Sequence, residues 1–376
     1  MKDKIKTIMF VGLLLFISFV NVLEPSKVFS TKENRYLQEL PKLNLDNLIS
    51  GKFSTEFEKY ASDQFINRDS WISLKTIGDL VLLKKDNNRV YFGKNNYLFD
   101  VDGELDEEQF RKNMDNINIF LSNLSKYNKD IEINALLIPT KSQVLKDKLP
   151  LYAPIIDEKA IVDRVESLLS DNINILDLLN IYKEKNNEYI YYKTDHHWTT
   201  KGAYYAYKLY LESMGENPLA IQDFIITKVN DEFLGTSYRK ANFYLGSPDQ
   251  IYSYIPKKEI NYNITINNDI KDNSIYDESY LNKTDKYSYF LGGDKPLIEI
   301  ETSVKNDKTI LIIKDSFANS FVPFLVNNYE EVIIIDPRYY KIDIMDYIRR
   351  NDIDEVLMLF NIQNFVQEKS FDNLSR

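Results

Sequence analysis

The chain has 376 residues, of which 44% are hydrophobic and 28% charged, so it is long and apolar enough to fold around a sizeable core. It contains no cysteine, which excludes disulfides, thiolate nucleophiles and zinc–thiolate sites. Its two histidines exclude a metal site with three or more histidine ligands, and its formal net charge of −10 argues against nucleic acid as the main partner.

The N-terminus has the pattern of an export or anchoring signal. Lysines at positions 2, 4 and 6 precede an unbroken run of apolar and small residues over 8–20, and Val22 and Leu23 extend it. No convincing small-residue cleavage site follows. The pattern therefore favours an uncleaved signal anchor over residues 1–24, with a cleaved signal peptide as the alternative. The remainder is expected outside the cell membrane, either anchored to it or, after cleavage, secreted.

After this signal, predicted helices alternate with apolar strands. Beyond a tether over about 24–34, helical character appears at 56–62 and 71–83, and three- and four-residue apolar spacing predicts a longer helix over 106–127. The continuous apolar run at 131–138 predicts a buried strand. Helices are then predicted over 157–170, 178–187 and 201–214, and short strands over 173–176 and 189–192.

A segment of different composition interrupts this alternation. Residues at about 222–305 are rich in Asn, Asp, Tyr and Lys, and they predict a mostly β insertion. Strands are predicted again at 309–313, 332–335 and 356–360, with helices near 317–327 and 343–351 between them. Strands that alternate with helices predict a parallel sheet flanked by helices, so we expect one α/β domain over residues 25–376.

Polar side chains follow the predicted strands, at the edge where a doubly wound sheet binds its ligands. The residues at these strand ends include Lys141, Asp195, His196, His197, Lys314, Asp315, Ser316, Asp336, Arg338 and Asn361. A serine, an Asp–His pair and an arginine are therefore expected at one rim of the sheet.

Ser316 follows the strand at 309–313 and opens the next predicted helix. That place suits a nucleophile, because backbone N–H groups there can hold an oxyanion. The alternative is that Ser316 or Asp315 is only the N-cap of the helix, and the local sequence alone favours the cap. The nucleophile hypothesis gains weight because a histidine, the natural proton acceptor near neutral pH, is present together with a carboxylate.

The segment Asp195-His196-His197 supplies both of those groups. In an extended backbone, residues two apart point the same way, so Asp195 and His197 are expected to share a face while His196 points away. We therefore assign His197 as the base and Asp195 as the residue that orients it. His196 is then a supporting, substrate-contacting or structural residue. A metal site built on Asp195 and the two imidazoles is the competing hypothesis, and two structural histidines near a helix start are the third.

Further candidates for substrate or oxyanion contacts each have a structural alternative. Arg338 suits an anion or developing negative charge but equally a surface ion pair, and Asn319 suits the oxyanion but equally an exposed helix position. Trp198 and Tyr339 can stack on a sugar ring or serve packing. His196 and Lys141 complete this set. No metal or other cofactor is expected.

These residues resemble the signature of a known family. Thr194-Asp-His-His-Trp198, followed by Gly202 and Ala203, resembles the motif of DHHW proteins, which are related to the alginate O-acetyltransferase group of the SGNH hydrolase-like superfamily. The resemblance extends over roughly residues 30–365. The further residues that carry it, in chain order, are Glu33, Asn34, Arg35, Leu37, Pro41, Tyr60, Asp63, Phe65, Arg68, Asp69, Gly93, Tyr97, Leu98, Pro139, Thr140, Lys141, Gly235, Lys314, Asp315, Ser316, Asp336, Pro337, Arg338, Tyr339 and Tyr340.

The resemblance implies an SGNH hydrolase-like fold with Ser316, His197 and Asp195 as a catalytic triad. It implies that an acetyl group passes through a Ser316 ester to hydroxyls of an extracellular polysaccharide or cell-wall glycan. A membrane-bound O-acyltransferase partner would supply that acetyl group. Gly235 and Asn361 are the residues it suggests for the oxyanion hole. A glycan acetylesterase with the same triad and a catalytically silent carbohydrate-binding or assembly protein are the alternatives.

Overall fold

The computed structural model describes the whole chain except residues 1, 31, 34, 102, 243–245, 273 and 376, so Asn34 lies outside the described residues. The chain divides into two compact units. The first comprises Met1–Asn88 and Tyr238–Leu245, and the second comprises Arg89–Ser237 and Gly246–Arg376. Residues 25–88, which the sequence analysis places in one domain with the remainder, fall in the first unit.

The first unit begins with the helix Lys2–Leu23. Its segment Asp3–Leu23 is the one helix in the described part of the chain that is long and apolar enough to cross a membrane, and none of it is buried. The remaining elements are the paired strands Phe29–Ser30 and Arg35–Tyr36 and the helices Leu45–Ile49, Lys52–Asp63 and Arg68–Val81. The helices predicted at 56–62 and 71–83 are confirmed, and each begins earlier than predicted.

Charged residues that carry the family resemblance hold this first unit together. The guanidinium of Arg35 donates to both carboxylate oxygens of Asp63, at 2.9 and 2.5 Å, and to Glu33 at 2.7 Å. Arg68 donates to the other oxygen of Glu33 at 2.9 Å. Hydrogen bonding to Arg35 lowers the pKa of Asp63. The resemblance at these positions therefore reflects a structural ion-pair network.

An eight-stranded sheet organises the second unit. Its strands, numbered in chain order, are β1 (Glu132–Ile138), β2 (Asn174–Asp177), β3 (Tyr262–Ile266), β4 (Ile270–Asp272), β5 (Leu297–Thr302), β6 (Thr309–Lys314), β7 (Glu331–Ile335) and β8 (Glu355–Asn361). Their order across the sheet is β4-β3-β5-β7-β6-β8-β1-β2. The five strands from β7 to β2 are parallel, which confirms the predicted α/β sheet. Strands β5, β3 and β4 extend it in antiparallel fashion.

The central strands are buried on both faces, which explains their continuous apolar runs. In β6, Ile310 and Ile312 belong to one apolar core, and Leu311 and Ile313 belong to the other. Helices cover both faces. They are Glu107–Tyr127, Lys141–Val144, Glu158–Leu168, Leu179–Glu184, Thr200–Ser213, Val322–Leu325, Ile344–Ile348 and Ile362–Gln367. A further short helix spans Thr236–Ala241.

Three local expectations need correction. Residues 189–192 form no strand, only the isolated bridge of Tyr191 with Trp198. The β-rich segment is not a separate insertion throughout. The strands Phe224–Phe233 and Asp249–Pro256 pair with each other, but β3, β4 and β5 join the main sheet. The helix predicted near 317–327 is a 3₁₀-helix, Ser316–Ser320, followed by Val322–Leu325. Pro323 favours the first turn of a new helix over the interior of a long one.

Candidate active site

Asp315 shapes the turn that presents Ser316 at the end of β6. It is the N-cap of the 3₁₀-helix, and its Oδ1 accepts a hydrogen bond from the amide of Phe317 at 2.9 Å. Its Oδ2 accepts from the amide of Asn361 and the side chain of Asn364, both at 2.8 Å. Burial raises the pKa of this carboxyl group. Because Asp315 is the cap, the hydroxyl of Ser316 is left for another partner.

That partner is His197. The Oγ of Ser316 lies 2.7 Å from His197 Nε2, and His197 Nδ1 lies 2.6 Å from Asp195 Oδ1. A carboxylate can only accept, so His197 donates through Nδ1 and its Nε2 is free to accept the serine proton. Ser316 is partly exposed, while His197 and Asp195 are buried. The structure thus brings the three residues into the arrangement of a Ser-His-Asp triad.

Four donors surround the carboxylate of Asp195. Besides the ring of His197, Oδ1 accepts from the amide of His197 at 3.0 Å, and Oδ2 accepts from the amide and hydroxyl of Thr236 at 2.7 and 2.9 Å. Burial opposes ionisation, but His196, His197 and these hydrogen bonds outweigh it and hold the pKa of Asp195 well below its usual range. A Cβ on Gly235 would collide with Asp195, so only glycine permits this approach.

Aromatic packing fixes the ring of His197 on both faces. One face stacks on Tyr287, with centroids 3.9 Å apart and an interplanar angle of 10°, and the other faces His196, also at 3.9 Å. The neighbouring Trp198 is fully buried and donates through Nε1 to the carbonyl of Phe317 at 3.0 Å and to Ser320 Oγ at 2.8 Å. Trp198 therefore joins the histidine segment to the serine turn and does not present a face to a sugar.

The expected orientation of His196 is wrong. Its ring lies against that of His197, because the hydrogen bond from the His197 amide to Asp195 closes a turn where an extended backbone was assumed. Its Nδ1 lies 2.7 Å from Thr236 Oγ1, and 40% of its side chain is exposed. Desolvation of the stacked ring, together with the nearby His197, lowers the pKa of His196 to about 4.

Lys141 does not face a substrate. Its ammonium is buried and donates to the backbone carbonyls of Tyr192 and Asp195 at 3.0 and 2.7 Å. Burial lowers the pKa of Lys141 to about 8, although Asp100 and other carboxylates oppose this shift. Lys141 is therefore a structural residue that supports the backbone of the histidine segment.

Arg338 and Asn319 belong to a second charged cluster. Arg338 ion-pairs with Asp294 at 2.9 Å and with Asp336 at 2.6 Å. The buried ammonium of Lys314 contacts the same two carboxylates, at 2.6 and 3.3 Å, and Asn319 bonds to both Lys314 and Asp294. These contacts already occupy the groups expected to stabilise an oxyanion. The cluster instead anchors the end of β6 just before the serine turn.

The remaining sequence-predicted residues lie outside the triad's contacts. Tyr339 is half exposed, and the guanidinium of Arg338 lies 5.4 Å from its ring centroid. The side chain of Asn361 caps the next helix through Gln363 and donates to the carbonyl of Ile138. It is therefore already engaged and does not point to an oxyanion hole.

Asp195, His196 and His197 offer ligand atoms within 4.8 Å of one another, which is close enough to hold a metal ion. The ligand atoms of Asp195 and His197 are already engaged, because both oxygens of Asp195 accept two hydrogen bonds each and His197 Nε2 holds Ser316. A cation would have to displace these donors. The donor set therefore fits proton transfer better than metal binding.

Sequence reasoning missed Thr236, Tyr287 and Asp294. Each contacts the motif residues through the fold, and Thr236 and Tyr287 lie 41 and 90 positions from Asp195 and His197. Among the residues that carry the family resemblance, Gly235 is the neighbour of Thr236. The resemblance suggests Gly235 for an oxyanion hole, whereas the structure places it against Asp195.

Comparisons with known proteins agree with this fold. A family model described as DHHW protein matches residues 136–335, more than half of the chain. A DHHW family protein from Eubacterium siraeum has a similar structure, with a TM-score of 0.63 and 24% identity over 77% of this chain and 95% of that one. No curated protein matches the sequence.

Bacillus cereus PatB1 is also similar, with a TM-score of 0.63 and 24% identity over 74% of this chain and 97% of that one. Its structure with a sulfonyl adduct gives a TM-score of 0.65 and 23% identity, over 75% and 97% of the two chains. At these identities the likeness shows a shared fold, and that fold is the parallel α/β sheet flanked by helices that the sequence predicts.

Proposed function

The chain belongs to the DHHW protein family, and we propose that it is an extracytoplasmic O-acetyltransferase that acts on hydroxyls of a polysaccharide or cell-wall glycan. The observation that carries this proposal is the continuous hydrogen-bonded chain from Ser316 Oγ through His197 to Asp195, at 2.7 and 2.6 Å. Such a chain activates a serine hydroxyl toward an acyl carbon at neutral pH. The acetyl group and the glycan acceptor come from the family resemblance.

In the first half-reaction, Ser316 Oγ attacks the carbonyl carbon of an acetyl donor while His197 Nε2 takes the serine proton. The ionised Asp195 stabilises the imidazolium that forms. The backbone N–H of Ser316 has no hydrogen-bond partner among the described residues and lies at the start of the 3₁₀-helix, so it is the available donor for the oxyanion. Collapse expels the donor's leaving group, which receives the proton from His197, and leaves acetyl-Ser316.

In the second half-reaction, a hydroxyl of the acceptor attacks the ester carbon of acetyl-Ser316. His197 Nε2 removes the hydroxyl proton, and Ser316 Oγ leaves and takes that proton back. The products are the acetylated acceptor and free enzyme. Water in place of the acceptor gives hydrolysis, so the same residues would serve an acetylesterase.

The helix Asp3–Leu23 is compatible with a membrane anchor or an export signal. We propose that it anchors the chain, with the triad outside the membrane, and that a membrane-bound O-acyltransferase partner delivers the acetyl group. No metal or cofactor takes part in the proposed steps. Accessibility of the triad-bearing unit to protease added to intact cells tests this orientation, and protection from protease would contradict it.

Intact mass after incubation with an activated acetyl ester tests covalent catalysis. Wild type should gain one acetyl group, and Ser316→Ala should gain none. Ser370→Ala is the matched control, because the buried Oγ of Ser370 has no hydrogen-bond partner in the described part of the chain and its loss should leave acetylation intact. Equal ester hydrolysis by wild type and Ser316→Ala would refute the triad. Since PatB1 has been described with a sulfonyl adduct, a sulfonyl fluoride offers an independent probe of Ser316.

A hydroxyl acceptor added to the acetyl-enzyme separates the remaining hypotheses. A transferase passes acetyl to the acceptor faster than to water, whereas an esterase yields only acetate. A silent carbohydrate-binding protein forms no acetyl-enzyme and no sulfonyl adduct, but still binds glycan.

A further inference from the structure

Thr236 connects the carboxylate of Asp195 to the second imidazole. Asp195 Oδ2 accepts hydrogen bonds from the amide and the hydroxyl of Thr236, at 2.7 and 2.9 Å. The ionised carboxylate of Asp195 has no proton to donate, so the single hydroxyl proton of Thr236 is donated to Asp195. Thr236 Oγ1 also lies 2.7 Å from His196 Nδ1. Only lone pairs of Thr236 remain for that contact, so His196 Nδ1 must carry the proton and donate it.

This assignment leaves Nε2 of His196 as an unprotonated acceptor. A neutral imidazole carries one proton, and here it is on Nδ1. The pKa of about 4 keeps the ring neutral at pH 7. Within the described residues, Nε2 of His196 has no hydrogen-bond partner, and 40% of the side chain is exposed. A lone pair is therefore available to a bound molecule.

The ring of His196 lies beside the reacting groups. Its centroid is 3.9 Å from that of His197, whose Nε2 holds Ser316 Oγ. The Nδ1 atoms of both rings lie near the same Asp195 Oδ1, at 3.8 Å for His196 and 2.6 Å for His197. The opposite face of His197 is covered by Tyr287. Because the two rings lie only 3.9 Å apart, a molecule whose hydroxyl reaches Nε2 at the edge of the His197 ring lies next to His196.

We propose that His196 selects acceptors that carry a second hydrogen-bond donor on the carbon next to the attacking hydroxyl, as in the vicinal diol of a sugar ring. The inference rests on the proposed function and deepens it. The attacking hydroxyl has one proton, which passes to His197 as the oxygen bonds to the acetyl carbon of acetyl-Ser316. That hydroxyl cannot also donate to His196, so the donor to His196 is a neighbouring group of the same acceptor.

A pair of matched acceptors tests this selection. The acetyl-enzyme is mixed with equal amounts of trans-1,2-cyclohexanediol and its monomethyl ether, which lacks only the second donor. The ratio of the two acetylated products is then measured by mass spectrometry. Wild type should favour the diol by about five- to tenfold, the worth of one neutral hydrogen bond. His196→Phe keeps a stacked ring without either nitrogen, and its ratio should fall to the intrinsic ratio of the two acceptors. His196→Gln, whose amide oxygen can accept, should recover part of the preference.

The ratio is measured within one acetyl-enzyme, so it does not depend on how fast that species forms. A wild-type ratio equal to the intrinsic one, or a diol preference that survives in His196→Phe, overturns the proposal. A third acceptor, trans-2-acetamidocyclohexanol, distinguishes a hydroxyl donor from the amide donor of an acetamido sugar. Preference for either acceptor over the ether supports the proposal.

Nitrogen NMR of the imidazoles gives a test that needs no acetyl transfer. The protein has only two histidines, so the labelled chain gives two rings, and His196→Phe assigns them. At pH 7, His196 should be the Nδ1–H tautomer, and its Nε2 resonance should move when the diol, but not the ether, is added to Ser316→Ala. The Nε2–H tautomer or an unchanged resonance overturns the proposal even in an active enzyme. Failure of wild type to form acetyl-enzyme would instead refute the proposed function.

Discussion

Replacing Asp195 by asparagine should disable His197, because both oxygens of this carboxylate accept hydrogen bonds. One oxygen faces the backbone N–H of His197, and the other faces the backbone N–H of Thr236. Whichever way an asparagine turns, its NH2 group meets one of these two N–H groups. The substitution therefore leaves buried donors unpaired and also removes the charge that holds the His197 tautomer.

The size of both effects follows from these contacts. Two unpaired buried donors should lower the free energy of unfolding by about 2–5 kcal/mol. Loss of the tautomer and of imidazolium stabilisation should slow formation of acetyl-Ser316 by about 10³- to 10⁴-fold. The low pKa of Asp195 contributes stability above the unfolded-state value of about 4, and this contribution disappears as the pH falls through the folded-state pKa. The stability difference between wild type and Asp195→Asn should therefore shrink below about pH 4.

Asp249→Asn is the matched control for this experiment. Asp249 is equally buried and also faces four donors, namely the amides of Lys193 and Thr194 and the hydroxyls of Tyr189 and Thr194, but it does not contact His197. Urea denaturation should show a similar loss of stability in both variants. Acetylation by an activated ester should fall far more in Asp195→Asn. Acetylation by that variant within tenfold of wild type would refute the assigned role of Asp195.

Four other outcomes are expected. In urea denaturation, Gly235→Ala should lower the free energy of unfolding by about 2–4 kcal/mol, because the new Cβ collides with Asp195. Gly78→Ala should raise it by about 0.5–1 kcal/mol, because Gly78 lies in a helix with open space around it, and equal effects of the two substitutions would contradict this. Trp198→Phe removes the indole N–H that donates to Ser320 Oγ and to the carbonyl of Phe317, so the rate of acetylation should fall about tenfold or more. An unchanged rate would exclude a role of Trp198 in joining the histidine segment to the serine turn. Lys141 has a pKa of about 8 in the folded chain, so on raising the pH the folded chain loses this proton before the unfolded chain does. The free energy of unfolding of wild type, relative to Lys141→Met, should therefore rise by up to about 3 kcal/mol between pH 8 and 10.5. A difference that stays constant with pH would contradict this. Extensive treatment with a chelator should leave acetylation unchanged, and loss restored by a divalent cation would favour the metal hypothesis.

Much of the fold was predictable because it depends on local patterns. The apolar run at the N-terminus, the three- and four-residue spacing over 106–127 and the strand–helix alternation each predict an element from neighbouring residues. Those elements are confirmed as Lys2–Leu23, Glu107–Tyr127 and the parallel strands of the sheet. The attachment of β3, β4 and β5 was not predictable, since an antiparallel strand of mixed composition carries no signal of its partner.

The candidate site shows the same division. Having only two histidines limits the base to His196 or His197, and a serine at a strand end suggests the nucleophile. The strand-like alternation used to choose between the histidines was wrong for His196, because Asp195 bonds to the backbone and bends the segment. Arg338 and Lys141 were proposed as ligand contacts because a sequence shows a charge without showing its partners.

The sequence by itself determined the family, the α/β alternation, the apolar N-terminal helix and the short set of residues able to act as nucleophile, base and orienting acid. Only the tertiary structure decided which of these meet, since the bond between His197 and Ser316 joins positions 119 residues apart. It also decided that Thr236 sets the proton positions on His196 and that Tyr287 covers His197. Hydrogen bonds and ring stacking depend on distance and angle in space, and no spacing along the chain encodes those for segments this far apart.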